Sequence, residues 1–268
     1  MGALEGRVAV ITGGISGLGR ASAERYAKEG AKVVIADVNA ERGENAASEM
    51  SAGGAPIEFI HVDVTSEESQ QALFDDVVRR YGRLDTVLAA AGVSSANYVS
   101  GEVSDMNDED PEANFLHNRA ISDWQRVIDI NLTGTMITDR IAVQHMLKLG
   151  TPGTIVNIAS IAGKRPLVGA ADYCVSKAGV IMLTNVMATE LATTNIRINA
   201  IGPGFIETPM TAGIRQSPDW MDNVMMMTPM QRFGQPHEIS STALFLASDE
   251  SAYFTGQTLF ANGGMFVG

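Results

Sequence analysis

Residues 7–29 read RVAVITGGISGLGRASAERYAKE, and this stretch decides the fold. It begins with a short apolar run, 7–12, passes through a glycine-rich turn from Thr12 to Gly19, and ends in a segment, 17–29, with helical spacing. Glycines in such a turn allow a tight bend and let the backbone approach a pyrophosphate, while the helix N-terminus faces the negative charge. The stretch therefore predicts a strand, turn and helix that bind a dinucleotide, although an ordinary strand-to-helix turn would also fit it.

The rest of the chain alternates apolar runs with segments of helical spacing. Six further runs are predicted as strands, at 32–37, 56–64, 84–92, 154–159, 195–205 and 256–264. This alternation predicts an α/β fold, in which a doubly wound, seven-stranded parallel sheet carries helices on both faces. Because no linker divides the chain, we expect residues 1–268 to form a single Rossmann-fold domain.

Glycines and polar residues stand where several of these runs end. Gly13, Asp37, Asp63, Gly92 and Ser160 all fall at strand carboxyl ends, where ligands bind in sheets of this kind. Asp37 stands where a carboxylate accepts hydrogen bonds from an adenosine ribose and repels the 2′-phosphate of NADP. NAD is therefore the expected cofactor, although Asp37 is also suited to cap the helix that follows.

Tyr173 and Lys177 are candidate catalytic residues. They stand four positions apart at the start of a predicted long helix, so they project from the same face. At an effective dielectric of about 20, an ammonium ~4 Å from the phenol contributes roughly 4 kcal/mol and would lower its pKa from about 10 by up to ~3 units. Tyr173 is thus predicted to act as a general acid/base, with Ser160 holding a substrate oxygen beside it. Alone, the pair would also fit two solvated helix neighbours.

A further candidate, Asn131, lies in a long segment, 122–150, that reads as one helix with an apolar face. An asparagine on such a face needs a hydrogen-bond partner, because burying an unpaired polar group is costly. We expect the small Gly134 to leave room for a water molecule there.

Two segments interrupt the regular alternation. Residues 94–121 carry six carboxylates between Glu102 and Glu112 and are predicted to form an acidic surface insertion, either a solvated loop or a rim over the site. Residues 205–235 are less regular and are predicted to contact the substrate. They include a run of methionines, at positions 221, 225, 226, 227 and 230.

The composition limits the partners. A formal charge of -12 and a pI of about 4.7 argue against nucleic acid and anionic membranes. The single cysteine, Cys174, excludes an intramolecular disulfide, and the N-terminus lacks the features of a signal peptide. No run reaches the ~18 apolar residues of a membrane span. The four histidines lack ligand spacing, so no metal is expected. These features predict a cytoplasmic protein.

Together these residues resemble the short-chain dehydrogenase/reductase family, in its classical form, from Gly6 through Gly264. The spacing Thr12-Gly13-x-x-x-Gly17-x-Gly19 is similar to that family's glycine signature. The matches to its catalytic positions are Asn131, Ser160, Tyr173 and Lys177.

By this resemblance, Tyr173 exchanges a proton with the substrate oxygen, which Ser160 orients. Lys177 lowers the pKa of the tyrosine and holds the nicotinamide ribose, and Asn131 supports a water through which the proton reaches solvent. The resemblance also implies a homotetramer, with interfaces from the helices that carry Asn131 and Tyr173.

The resemblance further implies a set of cofactor contacts at the ends of the strands. They are Gly13, Ser16, Gly17, Leu18, Gly19, Asp37, Asp63, Val64, Ala90, Ala91, Gly92, Tyr173, Lys177, Pro203, Ile206 and Thr208. One departure is Ala89-Ala90-Ala91-Gly92, where the family usually has Asn-Asn-Ala-Gly. We expect it to weaken side-chain bracing of the central sheet while cofactor binding persists.

The methionine run favours a lipophilic secondary alcohol as substrate, such as a hydroxysteroid or cyclic alcohol, because methionines offer a flexible apolar surface. The alternative is that they pack in the core or a subunit interface. A second enzyme hypothesis is a 3-oxoacyl reductase; the acidic surface disfavours its anionic thioesters, unless Lys164, Arg165 and Arg215 form a local basic patch. A non-catalytic NAD-binding sensor is a third hypothesis, disfavoured because all four catalytic positions are present.

Overall fold

A computed structural model describes residues 2–54, 56–95, 98–99, 102–103, 112 and 114–267, with only the backbone described at 98–99 and 102–103. The strands are β1 (Val8–Thr12), β2 (Lys32–Asp37), β3 (Ile57–His61), β4 (Thr86–Ala89), β5 (Tyr98–Val99), β6 (Glu102–Val103), β7 (Gly153–Ile158), β8 (Ile196–Ile201) and β9 (Thr258–Leu259).

The helices are α1 (Gly17–Lys28), α2 (Ala40–Ser51), α3 (Glu67–Tyr81), α4 (Ile121–Ile128), α5 (Gly134–Leu149), α6 (Ala171–Glu190), α7 (Ala212–Gln216), α8 (Pro218–Met227) and α9 (Pro236–Ala247). Shorter helical pieces are a π-helical turn (Asp129–Thr133) and three 3₁₀ turns (Ile161–Gly163, Pro209–Thr211 and Asp249–Ser251).

The central sheet has seven strands in the order β3-β2-β1-β4-β7-β8-β9, and every neighbouring pair is parallel. The predicted seven-stranded parallel sheet is therefore confirmed. The order reverses between β1 and β4, and a crevice at the carboxyl ends of the strands is the usual ligand site at such a point.

Helices cover both faces of the sheet, which explains why β1 is buried along its whole length. Ala9 and Ile11 belong to an apolar cluster that includes Tyr26 of α1, whose hydroxyl donates to the carbonyl of Ala243 in α9 at 3.0 Å. Val8 and Val10 point the other way, into a cluster with α3 and α5. This alternation along one strand is what joins the two layers of helices into a single domain.

The structure corrects some predicted boundaries. The helix predicted over 122–150 begins at Ile121 and is interrupted by the π-helical turn at 129–133. The strands predicted over 195–205 and 256–264 are much shorter, and the 205–235 segment contains α7 and α8. Within the insertion, β5 pairs with β6 in antiparallel fashion.

Most of the insertion's carboxylates lie outside the described residues, so both interpretations of that segment stay predictions. Within the described residues, no helix combines the length and apolar character needed to cross a membrane.

Candidate active site

The turn after β1 is packed tightly against the end of β4. Gly13 has a φ of +66°, and a Cβ added there would lie 2.7 Å from the backbone of Ala91. A Cβ on Gly19 would clash with the carbonyl of Gly13. Glycine is thus required at both positions, because the chain reverses between strand and helix in a space that admits only backbone.

Helix α1 begins without a side-chain cap. Ser16, its N-cap residue, makes no capping hydrogen bond within the described chain, and the first turn contains no acidic residue. In contrast, Asn39 caps α2 by accepting from Arg42 N–H, and Ser66 caps α3 in the same way. The N–H groups of α1 are therefore left available for an external acceptor, and such a helix end suits the pyrophosphate of a dinucleotide.

Asp37 lies at the carboxyl end of β2 and is nearly buried, with 8% exposure. One of its oxygens accepts a hydrogen bond from the backbone N–H of Asn39 at 3.3 Å. Asp63, two residues past the end of β3, uses one carboxylate oxygen to accept from the N–H and hydroxyl of Thr65. Both carboxylates thus lie at the carboxyl ends of the strands, as the glycine turn does.

The end of β4 is braced although it lacks the usual asparagines. Ala91 N–H donates to the hydroxyl of Thr12 at 3.3 Å, and Ala90 N–H donates to the carbonyl of Thr12 at 3.2 Å. The following residue pair, Gly92 and Val93, packs against Asn131. Thr12 and Asn131 therefore hold the strand end, and the expected weakening stays a prediction.

Asn131 is fully buried in the π-helical turn. Its Oδ1 accepts from Val93 N–H at 2.8 Å, and its Nδ2 donates to the Val93 carbonyl at 2.9 Å and to Ser176 Oγ at 3.1 Å. The need for a hydrogen-bond partner is confirmed. The side chain joins the end of β4 to α6.

The carbonyl of Asn131 accepts from the hydroxyl of Thr135 at 2.9 Å. A Cβ on Gly134 would lie 3.1 Å from both the side chain and the carbonyl of Val64. The expectation that Gly134 leaves room for water is therefore wrong, because Val64 occupies that side of the helix. Support of a water by Asn131 stays a prediction.

Ser160, Tyr173 and Lys177 meet at the carboxyl end of β7. Ser160 follows the strand, is 8% exposed, and its hydroxyl accepts from Ala162 N–H at 3.1 Å; the same hydroxyl lies near enough to the Tyr173 phenol to act on its pKa. Lys177 Nζ is buried, donates to the carbonyl of Ile158 at 2.8 Å, and lies 5.8 Å from the centre of the Tyr173 ring. A Cβ on Gly92 would stand 3.5 Å from this nitrogen, so the lysine also borders the end of β4.

The electrostatics of the pair differ from the prediction. Burial raises the pKa of Tyr173 above its ordinary value, while the hydroxyl of Ser160 acts in the opposite direction. Burial also lowers the pKa of the Lys177 ammonium to about 8. The predicted net lowering of the Tyr173 pKa is therefore wrong, because burial of the phenol outweighs the effects that favour the phenolate.

The segment after β8 closes the crevice from the other side. The carbonyl of Pro203 accepts from Ile161 N–H at 3.0 Å, which ties this loop to the turn after Ser160. Ile206 is buried, and the side chain of Thr208 lies 3.5 Å from where a Cβ on Gly17 would stand. Of these predicted cofactor contacts, Thr208 therefore borders the start of α1, and Pro203 lies beside the turn after Ser160.

Three residues beside the candidate site were not predicted from the sequence. Ser176 links Asn131 to Tyr173, because its hydroxyl donates to the Tyr173 carbonyl at 2.8 Å. Asp172 is fully buried beside Tyr173 and pairs with Arg119 at 2.7 Å. The spacing of Ser176, three positions after Tyr173, was a signal for the first contact; nothing in the sequence pointed to the Arg119 pair.

The methionine run does not lie in the core. Met226 is 79% exposed and Met230 is 59% exposed, and the other three are only partly buried. Packing in the core is therefore excluded as their explanation, whereas a substrate surface or a subunit interface is consistent with these exposures.

The described residues contain no group of three or more histidine, cysteine, aspartate or glutamate side chains arranged to hold a metal ion. The absence of a metal stays a prediction.

The chain matches a family model described as enoyl-(acyl carrier protein) reductase over residues 13–266. It is 36% identical over 264 residues to a 3-oxoacyl-[acyl-carrier-protein] reductase of Thermotoga maritima, covering 98% of this chain and 99% of that protein. It is 37% identical to a 2,5-dichloro-2,5-cyclohexadiene-1,4-diol dehydrogenase of Sphingobium indicum, with 99% and 98% covered.

A 3beta-hydroxysteroid dehydrogenase of Eggerthella lenta is 38% identical, with 98% of this chain and 94% of that protein covered. Among solved structures, the crystal structure of gox2181 superposes with a TM-score of 0.88 at 32% identity, covering 98% of this chain and 96% of that one. Coverage of this extent, together with the geometry of Ser160, Tyr173 and Lys177, shows that the chain belongs to the classical short-chain dehydrogenase/reductase family of oxidoreductases.

Proposed function

We propose that this protein is an NAD-dependent oxidoreductase that interconverts a lipophilic secondary alcohol, such as a hydroxysteroid or cyclic alcohol, and its ketone. The observation that carries the proposal is the meeting of Ser160, Tyr173 and Lys177 at the carboxyl end of β7, the strand beside β4. A phenol beside a serine hydroxyl and a buried ammonium is an arrangement suited to proton exchange with an alcohol oxygen.

In the oxidative direction, Tyr173 acts as a phenolate: it takes the hydroxyl proton of the alcohol and becomes the phenol, while the carbon loses a hydride. Ser160 holds the oxygen during this step. Lys177 has a pKa of about 8, so it is mostly protonated at pH 7 and keeps a cation near the phenolate from which this step starts. A bound nicotinamide dinucleotide supplies the hydride acceptor, or the donor in the reverse direction.

NAD rather than NADP is supported by Asp37. Its carboxylate at the end of β2 would accept from the ribose hydroxyls and repel a 2′-phosphate. We expect Asp37→Ala to lower kcat/KM with NAD roughly 10- to 100-fold, because a charge-assisted hydrogen bond is lost. The kcat/KM is measured with NAD and with NADP in both proteins, so that NADP serves as the control. An equal NAD-to-NADP ratio in wild type and Asp37→Ala would overturn the NAD assignment.

A lipophilic substrate is supported by the exposed methionines of α8 and the loop after it, and by Trp220, which is 44% exposed. Apolar surface of this kind, on the segment that borders the crevice, suits a ring system. Two of the relatives bear names for cyclic alcohol or hydroxysteroid substrates.

A second candidate is reduction of a 3-oxoacyl thioester, which the Thermotoga maritima relative favours. Lys164 and Arg215 are exposed near the site, and each adds positive charge for an anionic substrate. Arg165 is half-buried and donates to the carbonyl of Met265, and Arg215 donates to the carbonyl of Thr208; both keep their charge.

The experiment is a substrate panel followed by the absorbance of the reduced nicotinamide, with NAD and NADP in parallel. It includes hydroxysteroids, cyclic alcohols and small polyols for oxidation, and an acetoacetyl thioester for reduction. We expect turnover of cyclic or steroid alcohols with NAD. Activity on polyols or the thioester alone would reject the lipophilic substrate, and no turnover at all would favour the NAD-binding sensor.

A homotetramer is proposed on the basis of α6. Val175, Met182 and Val186 lie along one side of this helix and are 49%, 61% and 47% exposed. A row of large apolar side chains at this spacing suits packing against another helix. Light scattering measures the mass, and we expect Met182→Glu to reduce it; a monomeric wild-type protein would reject the proposal. A cytoplasmic location stays a prediction.

A further inference from the structure

The first turn of α6 contains a charged contact that the mechanism above does not use. Asp172 is fully buried, and its two oxygens have different partners. One accepts from the backbone N–H of Tyr173 at 2.8 Å, and the other accepts from the guanidinium of Arg119 at 2.7 Å. The Arg119 side chain is itself 10% exposed.

Arg119 also holds the segment that precedes α4. Its second terminal nitrogen donates to Asn114 Oδ1 at 3.0 Å. The Cβ of Asn114 lies 3.4 Å from where a Cβ on Gly169 would stand, in the turn before α6. The guanidinium therefore connects the chain leading to Asn131 with the helix that carries Tyr173.

The Tyr173 N–H matters because it has no partner within the helix backbone. The first N–H groups of an α-helix lack intrahelical acceptors, and a carboxylate in the first turn is also favoured by the helix dipole. Asp172 thus fixes the backbone at Tyr173. Any rotation of that backbone would be amplified at the phenol oxygen, which is the far end of the side chain.

A buried ion pair contributes little net stability, because desolvation offsets the attraction between the charges. Its main effect is on geometry, since removing one partner leaves an uncompensated buried charge. We propose that Arg119 and Asp172 are positioning residues that hold Tyr173 in register with the substrate oxygen. The inference rests on the proposed acid/base role of Tyr173.

A matched control exists at the opposite edge of the sheet. Asp85 also accepts from a backbone N–H, that of Val8 at 2.7 Å, and also pairs with an arginine, Arg83. It lies at the amino end of β4, away from the crevice. Asp85→Asn and Asp172→Asn therefore make the same chemical change in two similar contacts, of which only one adjoins the site.

The first test is hydrogen exchange at the Tyr173 amide. We expect Asp172→Ala to raise its exchange rate at least tenfold, whereas Asp85→Ala leaves it unchanged. This readout needs no substrate. An unchanged rate in the folded Asp172→Ala variant would overturn the proposal.

The second test is kinetic, with the best substrate from the panel. We expect Arg119→Met to lower kcat about 10- to 100-fold with the KM for NAD within about twofold, because a misplaced reacting group slows the chemical step. The double variant Arg119→Met/Asp172→Asn should recover most of this loss, because no charge is left unpaired and the introduced amide still offers an acceptor to the Tyr173 N–H.

Equal losses of kcat in Asp172→Asn and Asp85→Asn would mean a general effect on folding and would overturn the positioning role. The two failures are distinguishable. If Tyr173→Phe retains turnover, the proposed function fails; if Tyr173→Phe is inactive while Arg119→Met is fully active, only the positioning role fails.

Discussion

A buried charged side chain lies near each end of the central sheet, and the two differ in whether they have a counter-charge. At the amino end, Asp85 accepts from Val8 N–H and from Nε and one terminal nitrogen of Arg83, and Thr154 donates to Thr86, so these groups are paired. At the carboxyl end, Lys177 is buried with no carboxylate partner in the described part of the chain, and its pKa is lowered. The comparison teaches that Asp85 has a counter-charge where it supports the fold, whereas Lys177 is buried without one beside Tyr173, an arrangement typical of functional sites.

The largest effect on activity is expected from Tyr173→Phe, at the residue beside the unpaired Lys177. Removal of the phenol oxygen eliminates the proton carrier, so we expect kcat to fall at least about 1,000-fold, within the range typical of an acid/base catalyst. The fold should persist, because the ring is retained. Steady-state kinetics with the best alcohol gives the result, and Tyr81→Phe on the surface of α3 is the control. Retention of more than about a tenth of the wild-type rate would contradict the assigned role.

The next largest effect is expected from Lys177→Met. We expect kcat to fall roughly 100-fold, because the cation near the phenolate is lost. At pH 7 the same variant should be more stable by about 1–3 kcal/mol, since it removes a buried charge whose pKa is depressed from 10.5 to about 8.

The sign follows from linkage: the depressed pKa means that the folded state disfavours the charge, so the wild-type protein gains stability as pH rises between 8 and 10.5. Urea unfolding at several pH values measures this gain. A Lys177→Met protein less stable than wild type at pH 7 would show that the Ile158 hydrogen bond outweighs desolvation.

A third test concerns Asp139, which is fully buried in α5. Its Oδ2 accepts from Asn157, while its Oδ1 and the Oδ1 of Asn157 lack partners in the described structure. Burial raises the pKa of Asp139 from 3.8 to about 7. The folded state therefore binds a proton that the unfolded state releases, and stability falls as pH rises from about 4 to 7.

Between pH 5 and 8, we expect the free energy of unfolding of Asp139→Asn to fall by about 2–3 kcal/mol less than that of the wild-type protein, because the amide cannot ionise. Urea unfolding at these two pH values provides the measurement. Asp75→Asn, on an exposed carboxylate of α3, is the control. An identical pH dependence in wild type and Asp139→Asn would contradict the shift.

The smallest effect is expected from serine substitutions at two helix N-termini, compared by their free energies of unfolding. Ser66 caps α3 by accepting from Ser69 N–H, so Ser66→Ala should cost about 1 kcal/mol. Ser16 makes no such bond at α1, so Ser16→Ala should change the free energy of unfolding by less than about 0.5 kcal/mol without cofactor. Thermal unfolding gives both values. Equal costs would mean that Ser16 does cap its helix.

The sheet was predictable because burial on both faces leaves long apolar runs in the sequence. Residues 8–12 and 32–37 are examples, and both strands were placed correctly. The interrupted helix was not predictable, since one extra residue in the turn at 129–133 barely changes an apolar periodicity that continues on either side.

The site was predictable in its members but less in its electrostatics. The spacing of Tyr173 and Lys177 places them on one helix face, but the direction of the ammonium depends on the carbonyl of Ile158, nineteen positions earlier. The pair of Arg119 and Asp172 spans fifty-three positions, and only the folded chain brings it together.

The uncapped start of α1 also has a consequence for the lifetime of the protein. Its N–H groups gain acceptors when a dinucleotide binds. By mass action, a dinucleotide concentration one hundred times the Kd should raise the free energy of unfolding by about 2.7 kcal/mol, and with it the resistance to heat and proteolysis. A cell short of coenzyme would then lose this enzyme by degradation as well as by lack of turnover.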